Sequence, residues 1–451
     1  MNYSIIRNVI GRIMCTEAAF MVPALLISAF HNEGGAVKGF LITIALLLAA
    51  GLPMALIRKA TGVFYAREGF VMVGLAWVVV SLFGGLPFFI SGDIPNFVDC
   101  FFESVSGFTT TGSSILTDVE AMPKGELYWR SFTHWLGGMG VLVFILAVSH
   151  LTRGRGDEMH LLRAESPGVI KGKLVPHMHQ SAALLYKIYI VLTVAQIFLM
   201  LLGGIPLFDA VTISLGTAGT GGFAIKNDSL MSYSPYIQVV TTVFMIIFAT
   251  NFNIFYFILL REFKKCLKSE ELRAYLAIVF VSIAAIAINI FHMCASAGEA
   301  VRHAAFQVAS IISTTGYAST DFDLWPEFAK CILVLLMFIG AMAGSTGGGI
   351  KVIRILTMFK AGKRAICKAI HPRGVKLVHL DGEVMDDETV GSVQSYMMIY
   401  IIIFAASMLL VTVDGFSFET NFTAVAACFN NIGPGLAGVG PTMNFSEYSM
   451  F

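Results

Sequence analysis

Charge-free apolar runs long enough to cross a bilayer as a helix, which takes about 20 residues, recur along this chain between short polar connections. They occupy 39–57, 70–91, 132–150, 188–207, 236–260, 274–298, 331–350 and 395–413, and a further run at 13–30 is interrupted only by Glu17. The pattern predicts nine membrane-spanning helices, since a segment in hydrocarbon must satisfy its own backbone hydrogen bonds. In the outward connections the pattern changes. Short semi-polar segments, too brief to span, end there in glycine-containing turns.

Composition agrees with this class. Of the 451 residues, 56% are hydrophobic and 13% charged, and the mean hydropathy is +0.77, against roughly 25% charged residues in soluble domains. The net charge of +1 hides a sorting of signs. Arg58, Lys59 and Arg67 follow the second run; Arg153, Arg155, Arg163, Lys171 and Lys173 follow the fourth. Arg261, Lys264, Lys265 and Lys268 follow the sixth, and Lys351, Arg354, Lys360, Lys363, Arg364, Lys368, Arg373 and Lys376 the eighth. The alternate connections carry acids, among them Asp93, Asp99, Glu103, Asp118, Glu120, Asp209, Asp321 and Asp414. Basic loops stay inside, so the amino terminus is expected in the cytoplasm. The first run follows Arg7 and Arg12 without a small-residue cleavage site and is expected to be retained as a helix. The seven scattered cysteines show no metal-ligand or redox spacing and are expected to pack passively.

The turns repeat. DCFFESVSGFTTTGSS from Asp99, DAVTISLGTAGTGGFA from Asp209, HAAFQVASIISTTGYA from His303 and TNFTAVAACFNNIGPG from Thr420 align without gaps on Gly112, Gly222, Gly316 and Gly433. Six residues before each glycine stands a small residue: Ser106, Gly216, Ser310 and Ala427. The glycines are 110, 94 and 117 residues apart, close to one pair of spans plus loops. The repeating unit is therefore span, half-helix, turn, span. Non-helical backbone survives at membrane depth only around a protein-enclosed cavity, and a ring of carbonyls replaces the water around a monovalent cation. Glycine permits the backbone angles that such a turn needs, and each half-helix aims its negative carboxyl end at the ion. Asp99, Glu103, Asp118, Glu120 and Asp209 are expected to form an acidic rim.

With TTTGSS, TGGFA, STTGYAS and NNIGPG in these places, the chain resembles the TrkH/TrkG branch of the Trk/Ktr/HKT superfamily of potassium transporters. The resemblance implies an all-α polytopic membrane protein with four pseudo-symmetric span/pore-loop/span repeats around a central ion pore, preceded by an extra N-terminal helix pair. It places the helix pair in 1–66 and the repeats in 67–175, 176–268, 269–380 and 381–451. It assigns the potassium filter to Thr110, Thr111 and Gly112; Thr220, Gly221 and Gly222; Thr314, Thr315 and Gly316; Asn431, Ile432 and Gly433. In plant relatives a serine at the first filter glycine accompanies sodium selectivity, so Gly112 implies potassium.

The resemblance also implies a gate in the second span of the third repeat. There GAMAGSTGGGIK, from Gly340 to Lys351, puts five glycines in an apolar helix, which must break or bend. Gly344, Ser345, Thr346, Gly347, Gly348, Gly349 and Lys351 form the implied gating loop. A phosphate loop would need Gly-Lys-Ser/Thr after a strand, and here Ile350 separates Gly349 from Lys351. Lys351 and Arg354 are expected either to repel cations at the inner mouth or to anchor the helix among headgroups. The implied setting is the bacterial inner membrane, as a homodimer among lipids on a cytoplasmic ring of TrkA-type nucleotide-binding subunits. Potassium is the transported ion; no organic cofactor and no nucleic acid are expected on this chain. The sequence stops eighteen residues after Gly433, so the last pore helix of the family has no counterpart in it.

Other classes fit less well. A proton- or sodium-coupled symporter needs ionisable groups within spans, and only Glu17, His134 and His292 qualify. An intramembrane enzyme needs a cluster of catalytic carboxylates or metal ligands, which the apolar runs do not offer. A structural scaffold leaves the four matched turns without a reason.

Overall fold

The computed structural model describes residues 3–56, 66–138, 140, 178–374 and 376–449. Among them, six helices are long and apolar enough to cross a membrane: Tyr3–Phe30, Gly34–Leu56, Gly69–Ser91, Leu184–Leu202, Glu270–Met293 and Asp387–Asp414. Their outward faces are apolar, as at Leu41, Ile42, Phe198, Val281, Ile399 and Ile402, all exposed in the isolated chain. That inversion suits a lipid surround, and the protein is a multi-pass membrane protein.

Two of the nine predicted spans turn out otherwise, and a third lies mostly outside the described residues. The run 236–260 is two helices, Pro235–Phe248 and Phe252–Leu259, bent by 91°. Asn251 causes the break, because its side chain accepts the Asn253 amide at 2.9 Å and caps a new helix. The run 331–350 is helical only to Ile339, and a second helix starts at Val352. Of 132–150, only the beginning belongs to a described helix, Lys124–Gly138; Met139 and 141–150 lie outside the described residues. The expected half-helices are present as Phe97–Phe108, Leu207–Gly219, Ala297–Ile312 and Phe418–Phe429. Asn96, Ser296 and Ser417 cap three of them with side-chain oxygens. Two short antiparallel strands, His379–Leu380 and Glu383–Val384, join through Asp381 and Gly382, both at positive φ. Asp-Gly is the usual two-residue hairpin link.

The described residues fall into two compact units. One holds those up to residue 140 together with 178–229 and 444–449; the other holds 230–443. The first is cored by Met21, Phe40, Phe88, Phe108 and Trp129, whose indole donates to the Gly84 carbonyl at 2.9 Å. The second is cored by Tyr275, Val308, Ile311, Phe322, Leu333 and Met337. In the first unit a Cβ on Gly11 would come within 2.7 Å of the Gly51 carbonyl oxygen and of the Met54 Cβ. Close approach through small residues holds helices together where water supplies no driving force. Gly11→Leu is therefore expected to destabilise the protein by about 1–3 kcal/mol, the usual cost of overpacking. A lowered melting midpoint in detergent checks this, and an unchanged midpoint contradicts the contact.

Candidate turn and loop site

All four half-helices stop in the same way. The residue two before the glycine is left-handed: Thr110 at φ 59°, Thr220 at 54°, Thr314 at 61° and Asn431 at 57°. Its amide bonds back three residues, Thr110 to Gly107, Thr220 to Thr217 and Thr314 to Ile311 at 3.1 Å, and Asn431 to Cys428 at 3.3 Å. The next amide bonds back five, Thr111 to Ser106, Gly221 to Gly216, Thr315 to Ser310 and Ile432 to Ala427, each at 2.9 Å. This is a Schellman stop, with threonine or asparagine where glycine usually stands. It explains the small residues six before each glycine, whose carbonyls receive the returning strand.

A β-branched residue at positive φ is an outlier that only its surroundings enforce, at a cost of about 1–3 kcal/mol. Three of the four turns carry that strain. Gly112, Gly222, Gly316 and Gly433 follow at φ 77°, 80°, 84° and 97°, while the residue between keeps an ordinary φ. Backbone that alternates in hand turns successive carbonyls towards one side, unlike a β-strand.

Within the first unit, a Cβ on Gly112 would fall on the carbonyl oxygen of Gly221, so the two turns meet backbone to backbone. Helix Lys124–Gly138 backs them. The buried His134 has Nδ1 2.9 Å from the Gly107 carbonyl, and its Nε2 accepts the Phe223 amide at 3.1 Å. That acceptance makes Nδ1 the donor, and the ring ties both half-sites together as a neutral imidazole. Gly138 lies against Gly219, with a built Cβ 2.6 Å from its Cα.

The second unit repeats the arrangement. A Cβ on Gly316 would fall on the carbonyl oxygen of Ile432. The Ser313 and Thr315 hydroxyls are 2.7 Å apart, as those of Thr109 and Thr111 are 2.8 Å apart in the first unit. Asn430, at the base of the fourth turn, accepts the Tyr400 hydroxyl at 2.7 Å.

Against these turns lies the irregular stretch 340–351. Gly340, Gly344, Gly349 and Lys351 all have positive φ, which explains the glycine content. The Gly348 amide donates to Thr314 Oγ1 at 2.5 Å, and a Cβ on Gly347 would come 2.6 Å from the Ser313 carbonyl oxygen. Lys351 Nζ turns back to donate to the Gly347 carbonyl, and Glu271 accepts the Ala343 amide at 2.7 Å. The broken span interlocks with the same stretch. The Met342 amide donates to Ala249 at 3.1 Å, the Phe252 amide to Gly344 at 3.0 Å, and Thr346 Oγ1 to Phe248 at 3.2 Å. Backbone groups freed by one break thus satisfy those freed by the other.

The expected rim is altered in part. Glu103 is buried and paired with Arg130. Asp118 accepts Asn227 Nδ2 at 2.8 Å, and Glu120 accepts the Asn227 amide at 3.2 Å. The Asn227 hydrogen bond holds the Asp118 carboxyl below its usual range. These acids therefore tie loops together. Of the ionisable candidates for coupling, His134 is committed as described and His292 is exposed. Glu17 is buried with neither carboxylate oxygen partnered among the described residues.

Sequence reading missed Arg130, Asn251 and Glu271. The polar insertion Thr-Asn-Phe-Asn at 250–253 is a legible break signal in an apolar run, whereas no spacing rule links Arg130 to Glu103 or Glu271 to Ala343.

Known proteins carry the same fold. The chain matches the family model described as "TrkH: Cation transport protein" over residues 36–450. It is 33% identical over 447 residues to the Trk system potassium uptake protein TrkH of Escherichia coli strain K12, covering 97% of this chain and 92% of that protein. To the Trk system potassium uptake protein TrkG of the same strain it is 31% identical over 438 residues, covering 96% and 90%. The crystal structure of the potassium transporter TrkH from Vibrio parahaemolyticus aligns with a TM-score of 0.89 at 31% identity, over 100% of this chain and 94% of that one. Identity over nearly the whole length, on a backbone that keeps four like turns, means that this chain belongs to the TrkH cation transport protein family.

Proposed function

We propose that the chain is the ion-conducting membrane subunit of a Trk-type potassium uptake system. The observation that carries this reading is the turn repeated four times, with left-handed Thr110, Thr220, Thr314 and Asn431 two residues before a positive-φ glycine. A left-handed stop kept in all four turns, at the cost of strain in three of them, is kept for a purpose, and carbonyls turned to one side suit a dehydrated alkali cation. Thr110–Gly112, Thr220–Gly222, Thr314–Gly316 and Asn431–Gly433 supply those carbonyls to one potassium path. The stretch Gly344–Gly349 with Lys351 is its gate, since it touches the base of the third and fourth turns. The names of the relatives, potassium uptake proteins of Trk systems, support the substrate and a TrkA-type cytoplasmic regulator that would carry the nucleotide. A homodimer in the bacterial inner membrane, with the amino terminus inside and repeats bounded near residues 66, 175, 268 and 380, completes the reading.

Expression in a bacterium deficient in potassium uptake tests it. Growth at low potassium is expected to be restored, and no rescue, with the protein present in the membrane, contradicts the reading. Proton- or sodium-coupled symport is the second reading, favoured by the buried carboxyl of Glu17, which has no hydrogen-bond partner among the described residues. Reversal potentials in proteoliposomes across a pH or sodium gradient separate the two. A downhill pathway follows the potassium gradient alone, while a symporter shifts with the proton or sodium gradient.

A further inference from the structure

Behind the first two turns lies an ion pair to which the conduction path assigns no part. The side chains of Glu103 and Arg130 are 0% and 2% exposed. Glu103 Oε1 accepts Arg130 Nε at 2.8 Å and Nη2 at 2.6 Å, and Oε2 accepts the Ile115 amide at 3.0 Å. Ser114 Oγ lies 3.0 and 3.2 Å from the two oxygens. Arg130 reaches further: Nη1 donates to the Ala224 carbonyl at 3.4 Å, and the guanidinium sits 4.1 Å from the Phe223 ring centroid. Ser114 and Ile115 belong to the strand leaving Gly112, and Phe223 and Ala224 to the strand leaving Gly222. One guanidinium–carboxylate unit therefore binds both strands just beyond their turns. The Phe445 amide adds a third segment by donating to the Ser114 carbonyl at 2.9 Å.

Stability alone does not account for such a pair, because apolar residues of equal volume are often as stable or more so. A guanidinium provides geometry instead: a planar fork with fixed donor directions. Gly112 and Gly221 meet with no side chain between them, so their separation has to be set from elsewhere in the fold.

We propose that Glu103 and Arg130 are specificity-determining positioning residues, which fix the spacing of the first two turns and thereby the discrimination between potassium and sodium. This rests on the conduction reading above. The test compares rubidium and sodium uptake into proteoliposomes by the wild type, Arg130→Lys, and the double variant Glu103→Leu/Arg130→Met. Lysine keeps the charge but cannot reach Glu103 and Ala224 at once. The double variant removes both charges without stranding either, so it is expected to assemble. Both variants are expected to pass rubidium with discrimination against sodium lowered roughly tenfold, equivalent to about 1.4 kcal/mol. A purely structural role would reduce the yield or the melting temperature and leave the selectivity of the surviving protein at the wild-type value; that result overturns the proposal. Failure of both variants to assemble also overturns it, since the pair would then be a folding requirement. A wild-type protein without selective flux is a separate failure, of the conduction reading itself.

Discussion

Gly316→Ser is expected to remove selective potassium uptake while the protein still reaches the membrane. At φ 84° any side chain is strained, and the new Cβ falls on the Ile432 carbonyl oxygen, so the third and fourth turns must part. Carbonyls displaced by a few tenths of an ångström no longer match one ion, and discrimination between potassium and sodium is expected to fall by at least about tenfold, or about 1.4 kcal/mol. Gly391→Ala is the control. Gly391 lies in helix Asp387–Val411, and a Cβ there meets nothing within 4 Å. Uptake of rubidium and sodium by both variants decides the matter. Wild-type selectivity in Gly316→Ser would mean that these backbone atoms do not contact the ion.

The other large effect is expected at the loop. Lys351 is part-buried and donates to the Gly347 carbonyl, which holds the stretch in its observed shape. A hydrogen bond from a charged group contributes about 1.5–3 kcal/mol. Lys351→Ala should therefore shift a closed-to-open equilibrium by roughly 10- to 150-fold. The expected result is faster potassium flux with unchanged selectivity, because the Thr314 and Thr315 amides bond back to Ile311 and Ser310 of their own half-helix and not to the stretch. Flux equal to or below that of the wild type, in a protein that melts normally, would mean that the stretch is no gate.

Much of this was legible in the residues. Six spans follow from charge-free runs, and the four half-helices follow from their alignment, because a glycine that must adopt positive φ leaves its mark at a fixed position. The helix break within Gly340–Lys351 was legible for the same reason. The absence of charge in 236–260 hid the break at Asn251, which only the polar insertion at 250–253 marks, and there one capping side chain outweighs an apolar run. Hydropathy also could not reveal that this break exists to satisfy the loop, since the hydrogen bonds from Met342 and Phe252 join segments about ninety residues apart. Glu103 misled because an acid in an outward connection looks solvated until its partner is known. Arg130, 27 residues away, becomes that partner only after two helices have packed.

The most direct test is crystallographic. Crystals grown with rubidium in place of potassium should show anomalous density bounded by the carbonyls of Thr110–Gly112, Thr220–Gly222, Thr314–Gly316 and Asn431–Gly433, lost when sodium replaces rubidium. Rubidium density elsewhere in the membrane region, with none at these turns, would contradict a path lined by the repeated backbone.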